Sequence, residues 1–213
     1  MWINFILNGN FTKNLMFYKN SDLSEFPVRS DVKQVSKEML EVCQKSFYVN
    51  KKGEKVDIHD QIKFSVDNSR AYVPDYNYTI PPPPENANLN NIEFTKETTI
   101  GAGYRLVVQE HYAKTVALNF ANGVEQGGGW IRGARAQEEA IVRCSSLILS
   151  LKPSLSPDHV KGKKPDDITI NGKQYKRVSC MYHANRQLGL ENFEEGPLST
   201  DYQLLNPDVV VFR

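Results

Sequence analysis

The sequence predicts an α/β fold, because three features follow one another in its central part. The run Thr115–Asn122 (TVALNFAN) is apolar until it ends in small polar residues, which is typical of a strand buried on both faces of a sheet. Three consecutive glycines, Gly127–Gly129, come next. An amphipathic helix is then predicted over Ala136–Leu151, with Pro153 just past its end. A buried strand, a glycine loop and a helix in this order are the pattern of α/β architecture.

Length and composition describe an ordinary globular protein. The 213 residues suit one domain with a sizeable core, and 40% of them are hydrophobic. The formal net charge of +1 gives no electrostatic reason to expect binding to nucleic acid or to an anionic membrane. No apolar run approaches the roughly 20 residues that span a bilayer, and the N-terminus lacks the basic region of a signal peptide. We therefore expect a cytoplasmic protein, with the nucleus as the alternative if the source is eukaryotic.

Cysteine and histidine give no sign of a disulfide framework or of a metal site. The three cysteines, Cys43, Cys144 and Cys180, are odd in number and far apart, and the four histidines are scattered without ligand spacing. Cys144 falls on the apolar phase of the predicted helix, where we expect it to pack as a small hydrophobic residue. The expectation is a protein that needs neither a metal ion nor another cofactor.

The first quarter of the chain predicts an arm, a helix and a hairpin. Residues 1–30 mix aromatic and polar side chains without a clear period, which predicts an irregular N-terminal arm. Asp31 and Gln34 have the spacing of a capping box at the start of a helix that runs to about Lys45. The segment FYVNKKGEKVDIHD (47–60) then predicts two strands joined by a turn at Lys52–Gly53.

Three further segments complete the predicted elements. YTIPPPPENANLNN (78–91) predicts a stiff extended loop around Pro81–Pro84, because proline fixes φ and removes a backbone donor; a ligand for a proline-binding module is the alternative. ITINGKQYKRVSCMYHA (168–184) predicts a hairpin with Asn171–Gly172 at its turn. NPDVVVFR (206–213) predicts a second buried strand.

The triple glycine lies where α/β sheets bind ligands, beyond the carboxyl end of a buried strand. Glycine lets backbone amides approach a sugar or a phosphate with no Cβ in the way. The helix that follows adds unpaired amides and the positive end of its dipole. A mobile surface linker is the alternative, since runs of glycine are common in such loops.

Two adjacent glutamates, Glu138 and Glu139, stand in the first turn of the predicted helix. A solvated helix start would explain them without chemistry, because the dipole favours carboxylates there. If they are catalytic, geometry limits their roles. Consecutive helical residues point about 100° apart, so the pair cannot flank one bond as the usual glycosidase carboxylates do. One carboxylate would then carry the proton transfers while the other holds the substrate.

The segment from Asn119 to Glu139 resembles the signature of microbial-type poly(ADP-ribose) glycohydrolases. It combines NFAN (119–122), GGG (127–129) and QEE (137–139), and similarity extends over SKEMLEVCQKSFYVNKKGEKVDI (36–58) and STDYQLLNPDVVVFR (199–213). The resemblance covers about residues 31–213. It implies a macrodomain-like fold, a three-layer α/β/α arrangement around a mixed sheet. It also implies hydrolysis of the ribose–ribose O-glycosidic bonds of poly(ADP-ribose), without a metal or another cofactor.

The same resemblance assigns roles by position. Glu139 becomes the general acid that protonates the leaving ribose oxygen and then activates water, and Glu138 hydrogen-bonds the ribose hydroxyls. The loop of Gly127, Gly128 and Gly129 lies beside the terminal ribose and the diphosphate, while Asn122 positions the ribose and Gln137 supports it. The implied partners are ADP-ribose or ADP-ribosylated proteins, with no direct binding to nucleic acid or membrane. The choice between poly- and mono-ADP-ribose stays open, as does the oligomeric state.

The sequence departs from the family at its C-terminal end. The family's chain continues past the segment that matches PDVVVFR into a second glycine-rich loop, which contains a phenylalanine and wraps the diphosphate; no such loop is found here. A macrodomain without that portion would leave Val209–Phe212 and the core face of the 136–151 helix under-covered. An ADP-ribose-binding module or an inactive remnant is therefore the alternative function.

Overall fold

The structure is a computed structural model that describes residues 2–6, 29–50, 52–72, 82, 92–112, 114–123, 125–158, 167–170, 173–176 and 203–212. The strands in these ranges are β1 (Trp2–Ile6), β2 (Phe47–Val49), β3 (Lys55–Asp57), β4 (Arg70–Tyr72), β5 (Val116–Leu118), β6 (Asp167–Ile170), β7 (Lys173–Lys176) and β8 (Gln203–Val210). The helices are α1 (Arg29–Lys45), α2 (His59–Asn68), α3 (Thr99–Tyr104), α4 (Gln137–Arg143) and α5 (Leu147–Leu151). A π-helical turn (Arg105–Gln109) and two 3₁₀ turns (Trp130–Arg132, Pro153–Leu155) complete them.

A four-stranded mixed sheet is the centre of the fold, in the order β4-β8-β1-β5. β1 runs parallel to β8 and antiparallel to β5, and β4 pairs antiparallel with β8. α2 packs against β8 and also contacts α5, so that buried side chains lie between the helices and the sheet. Helices and a mixed sheet around one core confirm the predicted α/β class.

The prediction of an irregular arm over residues 1–30 is wrong for residues 2–6. These residues form β1, which lies between β8 and β5 with Trp2 opposite both Leu205 and Leu118. The strand is defined by its backbone pairing with segments more than 100 residues away, which the local pattern of WINFI does not reveal. The first helix also begins at Arg29, two residues before the predicted cap. The rest of the predicted arm lies outside the described residues.

The prediction that the strand within Thr115–Asn122 is buried on both faces is wrong. β5 is the end strand of the sheet, and Val116 and Leu118 are 54% and 41% exposed while Ala117 between them is half-buried. The apolar run reflects a sheet face that is accessible in this structure rather than one covered by other elements. Residue composition alone does not distinguish the two, because burial depends on which elements pack against the strand.

The single helix predicted over Ala136–Leu151 is two helices with a break at Cys144–Ser146. At the break the backbone bonds to the last strand instead of continuing the helical ladder: Ser146 N donates to the Val210 carbonyl oxygen at 2.9 Å, and Phe212 N donates to the Cys144 carbonyl oxygen at 2.7 Å. The apolar stripe nevertheless lies in the core on both sides of the break. Its fully buried members are Ile141, Leu147, Ile148 and Leu151.

The C-terminal strand is buried, as predicted. Val209, Val210, Val211 and Phe212 are each at most 3% exposed, and every residue of α5 is buried. The expectation that this strand and the predicted 136–151 helix would be under-covered is therefore wrong at these positions. The reason is that β1 and β4 flank β8 in the sheet while α2 and α5 pack on it.

Both predicted hairpins form. β2 and β3 pair antiparallel, and Gly53 at their turn has a φ of +80° that favours glycine. β6 and β7 also pair antiparallel with Ile170 opposite Lys173, although the predicted turn residues 171–172 lie outside the described part. Cys180 lies outside it too, as does the proline run apart from Pro82. No helix in the described ranges is both long and apolar enough to cross a bilayer.

Candidate active site

The three glycines form a tight turn against the start of α4. Gly127 and Gly128 have φ angles of +75° and +54°, a backbone region that residues with a Cβ rarely adopt. A Cβ on Gly128 would lie 2.3 Å from Glu139 Oε1 and 3.6 Å from Glu138 Oε2. The absence of a side chain at residue 128 is thus what lets the backbone reach both carboxylates.

The same turn is packed on the hydrophobic core. A Cβ on Gly127 would lie 3.0 Å from Trp130 Cδ1 and 3.1 Å from Ile148 Cδ1, and Trp130 is only 4% exposed. Ser36 of α1 donates its hydroxyl to the Trp130 carbonyl oxygen at 2.9 Å, which ties the turn to a third element. Because Gly127 and Gly128 are buried and packed, the structure does not support the alternative of an open surface linker.

Glu138 is 1% exposed and joins the glycine turn to the end of β5. Its Oε1 accepts hydrogen bonds from Asn119 Nδ2 and Gly127 N, each at 3.3 Å, and its Oε2 accepts one from Asn122 N at 2.7 Å. A buried carboxylate costs free energy unless donors surround it, and these three donors meet that need. Glu138 therefore holds the site's backbone together.

Glu139 is 7% exposed, and its Oε1 accepts a hydrogen bond from Gly129 N at 3.0 Å. Its Oε2 has no hydrogen-bond partner among the described residues. One oxygen is thereby fixed while the other is left to exchange a proton with a ligand or water. Since both glutamates are buried, the alternative of a solvated helix start is wrong. Glu138 faces the β5 end and Glu139 faces Gly129, as the 100° spacing requires.

Gln137 connects the helix start to its neighbours through every part of its amide. Its Oε1 accepts from Phe120 N at 2.7 Å, and its Nε2 donates to the Leu118 carbonyl oxygen at 2.7 Å and to Thr99 Oγ1 at 3.1 Å. α4 is thereby clamped to β5 and to the start of α3. The support of the site that the sequence predicts for Gln137 thus has a geometric basis, while direct contact with a substrate stays a prediction.

Asn122 and its surroundings form the accessible rim of the site. Its side chain is exposed, and its Oδ1 accepts from Glu125 N at 2.8 Å. Glu125 in turn pairs with Arg132 through two contacts of 3.1 and 2.6 Å, which lowers the entropy of the loop before the glycines. Phe120, between the two asparagines of the motif, is 70% exposed.

The sequence analysis assigned no role to two residues of the site. Asn119 is 2% exposed and its amide binds Glu138, and the change from apolar to polar at the end of β5 was the signal that could have identified it. Arg143 is 9% exposed and its Nη1 donates to the Ala134 carbonyl oxygen. An arginine on the apolar side of a helix is itself unusual, and that pattern could have pointed to it.

The arrangement suits proton transfer to or from a ligand held against the glycine turn. One buried carboxyl is free at one oxygen, a second organises the backbone, and the turn brings its amides close without side chains. Within the described ranges, His, Cys, Asp and Glu side chains form no group of three that could hold a metal ion.

The chain was compared with known families, curated proteins and solved structures. The family described as microbial-type PARG, catalytic domain, matches residues 36–213. The search of the curated proteins finds no match. Among solved structures, the chain is similar to the poly(ADP-ribose) glycohydrolase (PARG) from Thermomonospora curvata, with 24% identity and a TM-score of 0.59, over 86% of this chain and 57% of that one. A point mutant of that enzyme gives the same identity and TM-score over 86% and 56%. The likeness shows a common fold, and the chain spans somewhat more than half the length of these structures.

Proposed function

The chain belongs to the microbial-type PARG catalytic-domain family, and from this premise we propose that it hydrolyses the ribose–ribose O-glycosidic bonds of poly(ADP-ribose). One observation carries the proposal. Glu139 is a buried carboxyl fixed at one oxygen by the Gly129 amide, inside a glycine turn that no other residue type would allow. The similarity to solved poly(ADP-ribose) glycohydrolases supports a macrodomain-type fold around this turn.

In the proposed mechanism Glu139 moves the proton. Its protonated carboxyl donates to the leaving ribose oxygen as the glycosidic bond breaks, and the resulting carboxylate then takes a proton from the attacking water. The transition state has oxocarbenium character, so the negative charge of the site favours it. The bond from Gly129 N to Oε1 orients the carboxyl and leaves Oε2 for the substrate.

Glu138 keeps the binding surface in shape. By accepting from Asn122 N and Gly127 N it fixes the two backbone segments between which the terminal ribose would lie. Contact of its carboxylate with the ribose hydroxyls is part of the proposal, as is placement of the ribose by the exposed amide of Asn122. The turn Gly127–Gly129 supplies close approach to the ribose and to the diphosphate.

The test compares release of ADP-ribose from purified poly(ADP-ribose) by the full chain and by Glu139→Gln. We expect the substitution to lower kcat by at least roughly 100-fold, the contribution of a general acid. Glu93→Gln is the matched control, because Glu93 is an exposed glutamate whose side chain is 72% accessible. Equal activity of the full chain and Glu139→Gln would refute the proposal.

The second candidate is an ADP-ribose-binding module without hydrolytic activity. It requires only the ligand-holding part of the site, the glycine turn organised by Glu138, and no proton transfer by Glu139. Calorimetry with ADP-ribose, combined with the hydrolysis assay, separates the candidates. Binding of ADP-ribose without release of ADP-ribose from the polymer supports the module. Neither binding nor product release would support an inactive remnant.

A further inference from the structure

A chain of three hydrogen bonds through the 129–134 turn links Glu139 to Arg143, which lies one turn later in α4. Gly129 N donates to Glu139 Oε1 at 3.0 Å, and Ala134 N donates to the Gly129 carbonyl oxygen at 3.1 Å. Arg143 Nη1 then donates to the Ala134 carbonyl oxygen. The two ends of this chain of hydrogen bonds lie on the same face of α4, because Glu139 and Arg143 are four residues apart.

Arg143 occupies a place where an arginine is costly. It is 9% exposed, and a buried guanidinium needs hydrogen-bond acceptors and negative charge nearby. Burial lowers the pKa of the Arg143 guanidinium, and the charge of Glu139 opposes that shift. Arg135, in the segment that leads into α4, is by contrast exposed. The hydrogen bond from Arg143 to the Ala134 carbonyl oxygen therefore indicates that this buried arginine holds the loop.

The charged groups around Glu139 are few in the described part of the chain. Glu138 and Arg143 lie on the same helix, and Arg132 lies across the glycine turn, where it is already paired with Glu125. Arg135 precedes the helix, and its positive charge acts on Arg143. The other elements packed against α4 are α1, α3 and α5, and among their described residues none forms an ion pair or side-chain hydrogen bond with Glu139. Arg143 is thus the cation best placed to act on this carboxyl.

We propose that Arg143 is a positioning residue for Glu139: by holding the Ala134 carbonyl it keeps the 129–134 turn in place, so that the Gly129 amide stays on the Glu139 carboxylate. The proposal rests on the proposed function of Glu139 as the general acid. Arg143 touches no reacting atom in this role. It acts through the turn, by its hydrogen bond to the Ala134 carbonyl oxygen.

The NMR signal of the Gly129 amide reports directly on this chain of hydrogen bonds, because Gly129 N donates to Glu139. The chain has 13 glycines but only two Gly–Gly peptide bonds, both within residues 127–129. Protein labelled with glycine that carries ¹³C at the carbonyl and ¹⁵N therefore gives two amide signals in a carbonyl-filtered NMR spectrum, from Gly128 and Gly129. The signal that moves more in Glu139→Gln belongs to Gly129, because Gly129 N donates to Glu139 while Gly128 N donates to the Glu125 carbonyl oxygen.

Arg143→Gln and Arg135→Gln form a matched pair for this experiment. In Arg143→Gln we expect the Gly129 amide resonance to move, because the turn is released and the hydrogen bond from Gly129 N to Glu139 lengthens. In Arg135→Gln, which removes the same charge from an exposed side chain of the same loop, the resonance should move much less, because the bond from Arg143 to the Ala134 carbonyl oxygen stays in place. In Arg143→Lys the resonance should shift part of the way, since lysine keeps a donor but lacks the planar fork of arginine.

Two results would overturn the proposal. One is a Gly129 resonance that Arg143→Gln leaves unchanged; the other is an equal change of that resonance in Arg135→Gln. Should Arg143→Gln not fold, Arg143→Lys provides the test. A Gly129 resonance at the wild-type position in that variant would refute the proposal that Arg143 holds the 129–134 turn.

Kinetics add a second readout. We expect Arg143→Gln to lower kcat roughly 10- to 100-fold, the cost of a misplaced catalytic group, while KM for poly(ADP-ribose) stays within about twofold. A change confined to KM would contradict a positioning role. If the wild-type chain does not hydrolyse the polymer, the proposed function fails, and the NMR experiment still decides whether Arg143 holds the turn.

Discussion

The carboxyl group of Glu139 occupies the space that a side chain on residue 128 would need. A Cβ on Gly128 would lie 2.3 Å from Glu139 Oε1 and 3.0 Å from its Cδ. The φ of Gly128, +54°, places its backbone in the left-handed region as well. Two separate properties of glycine, its missing side chain and its conformational freedom, are therefore used at one residue beside the acid.

The first prediction separates these two properties. Gly128→Ala and Gly53→Ala both force alanine into a left-handed conformation, but a Cβ at Gly53 meets nothing within 4 Å. We expect Gly53→Ala to lower the free energy of unfolding by about 1 kcal/mol, the conformational cost alone. Gly128→Ala should lower it by about a further 2 kcal/mol, because displacing Glu139 breaks its charge-assisted bond from Gly129. Urea unfolding measures both, and equal losses would contradict the close approach.

The second prediction assigns stability to one glutamate and activity to the other. Glu138→Gln should lower the free energy of unfolding by about 1–3 kcal/mol, because an amide group would face the donors on Asn119, Asn122 and Gly127. Glu139→Gln keeps an acceptor for Gly129, so its loss should stay below about 1 kcal/mol. Urea unfolding of the two variants side by side provides the check. A larger loss in Glu139→Gln would show that the roles are reversed.

Local spacing was enough to predict the parts of the site that belong to one segment. The triple glycine, the glutamate pair and Gln137 lie within thirteen residues of sequence, and their proximity follows from a turn and the first turn of a helix. What the spacing could not show is burial. Glu138 is buried against donors from Asn119, Asn122 and Gly127, and Glu139 against the Gly129 amide, all of which come from the segments before the helix.

The errors in the predicted fold all come from pairing between distant segments. β1 was not predicted because it is defined by pairing with two strands that are distant in sequence. β5 was predicted to be buried because its composition does not indicate that it lies at the end of the sheet. The helix break at Cys144–Ser146 coincides with backbone bonds to the last strand, more than sixty residues later. The role of Arg143 depends on the path of the loop back to Ala134, which no helical period reveals.

The third prediction concerns pH and His59, at the start of α2. Its Nε2 lies 3.0 Å from Asp158 Oδ1 and its Nδ1 lies 3.4 Å from Asp60 Oδ1. These hydrogen bonds, first that to Asp158, raise the pKa of His59 above its ordinary value. A raised pKa in the folded state means stabilisation that is complete below the unfolded value of about 6.5 and is lost as the pH rises through the folded pKa.

We therefore expect Asp158→Asn to lower the pKa of His59 measured by NMR titration, and to weaken the contact between α2 and the segment after α5 at acidic pH. Asp60→Asn should lower that pKa less, because its contact is longer. The effect on stability is small, since the His59 side chain is 39% exposed and solvent screens the pair. A His59 pKa that rises in Asp158→Asn would contradict the assignment.

The final prediction tests the proton that Glu139 is proposed to supply. Cleavage of the polymer expels a ribose hydroxyl, which leaves only when protonated, whereas an ADP-ribosyl substrate with a nitrophenolate leaving group needs no proton. If Glu139 is the general acid, replacing it should matter for the first substrate and far less for the second.

The decisive measurement is the ratio of kcat/KM between the full chain and Glu139→Gln on these two substrates. We predict a ratio of at least roughly 100 on poly(ADP-ribose) and below roughly 10 on the nitrophenyl substrate. The same large ratio on both would contradict protonation of the leaving oxygen as the main contribution of Glu139 and assign that contribution to activation of water, which both substrates need. A ratio near one on both would contradict any part for Glu139 in the reaction.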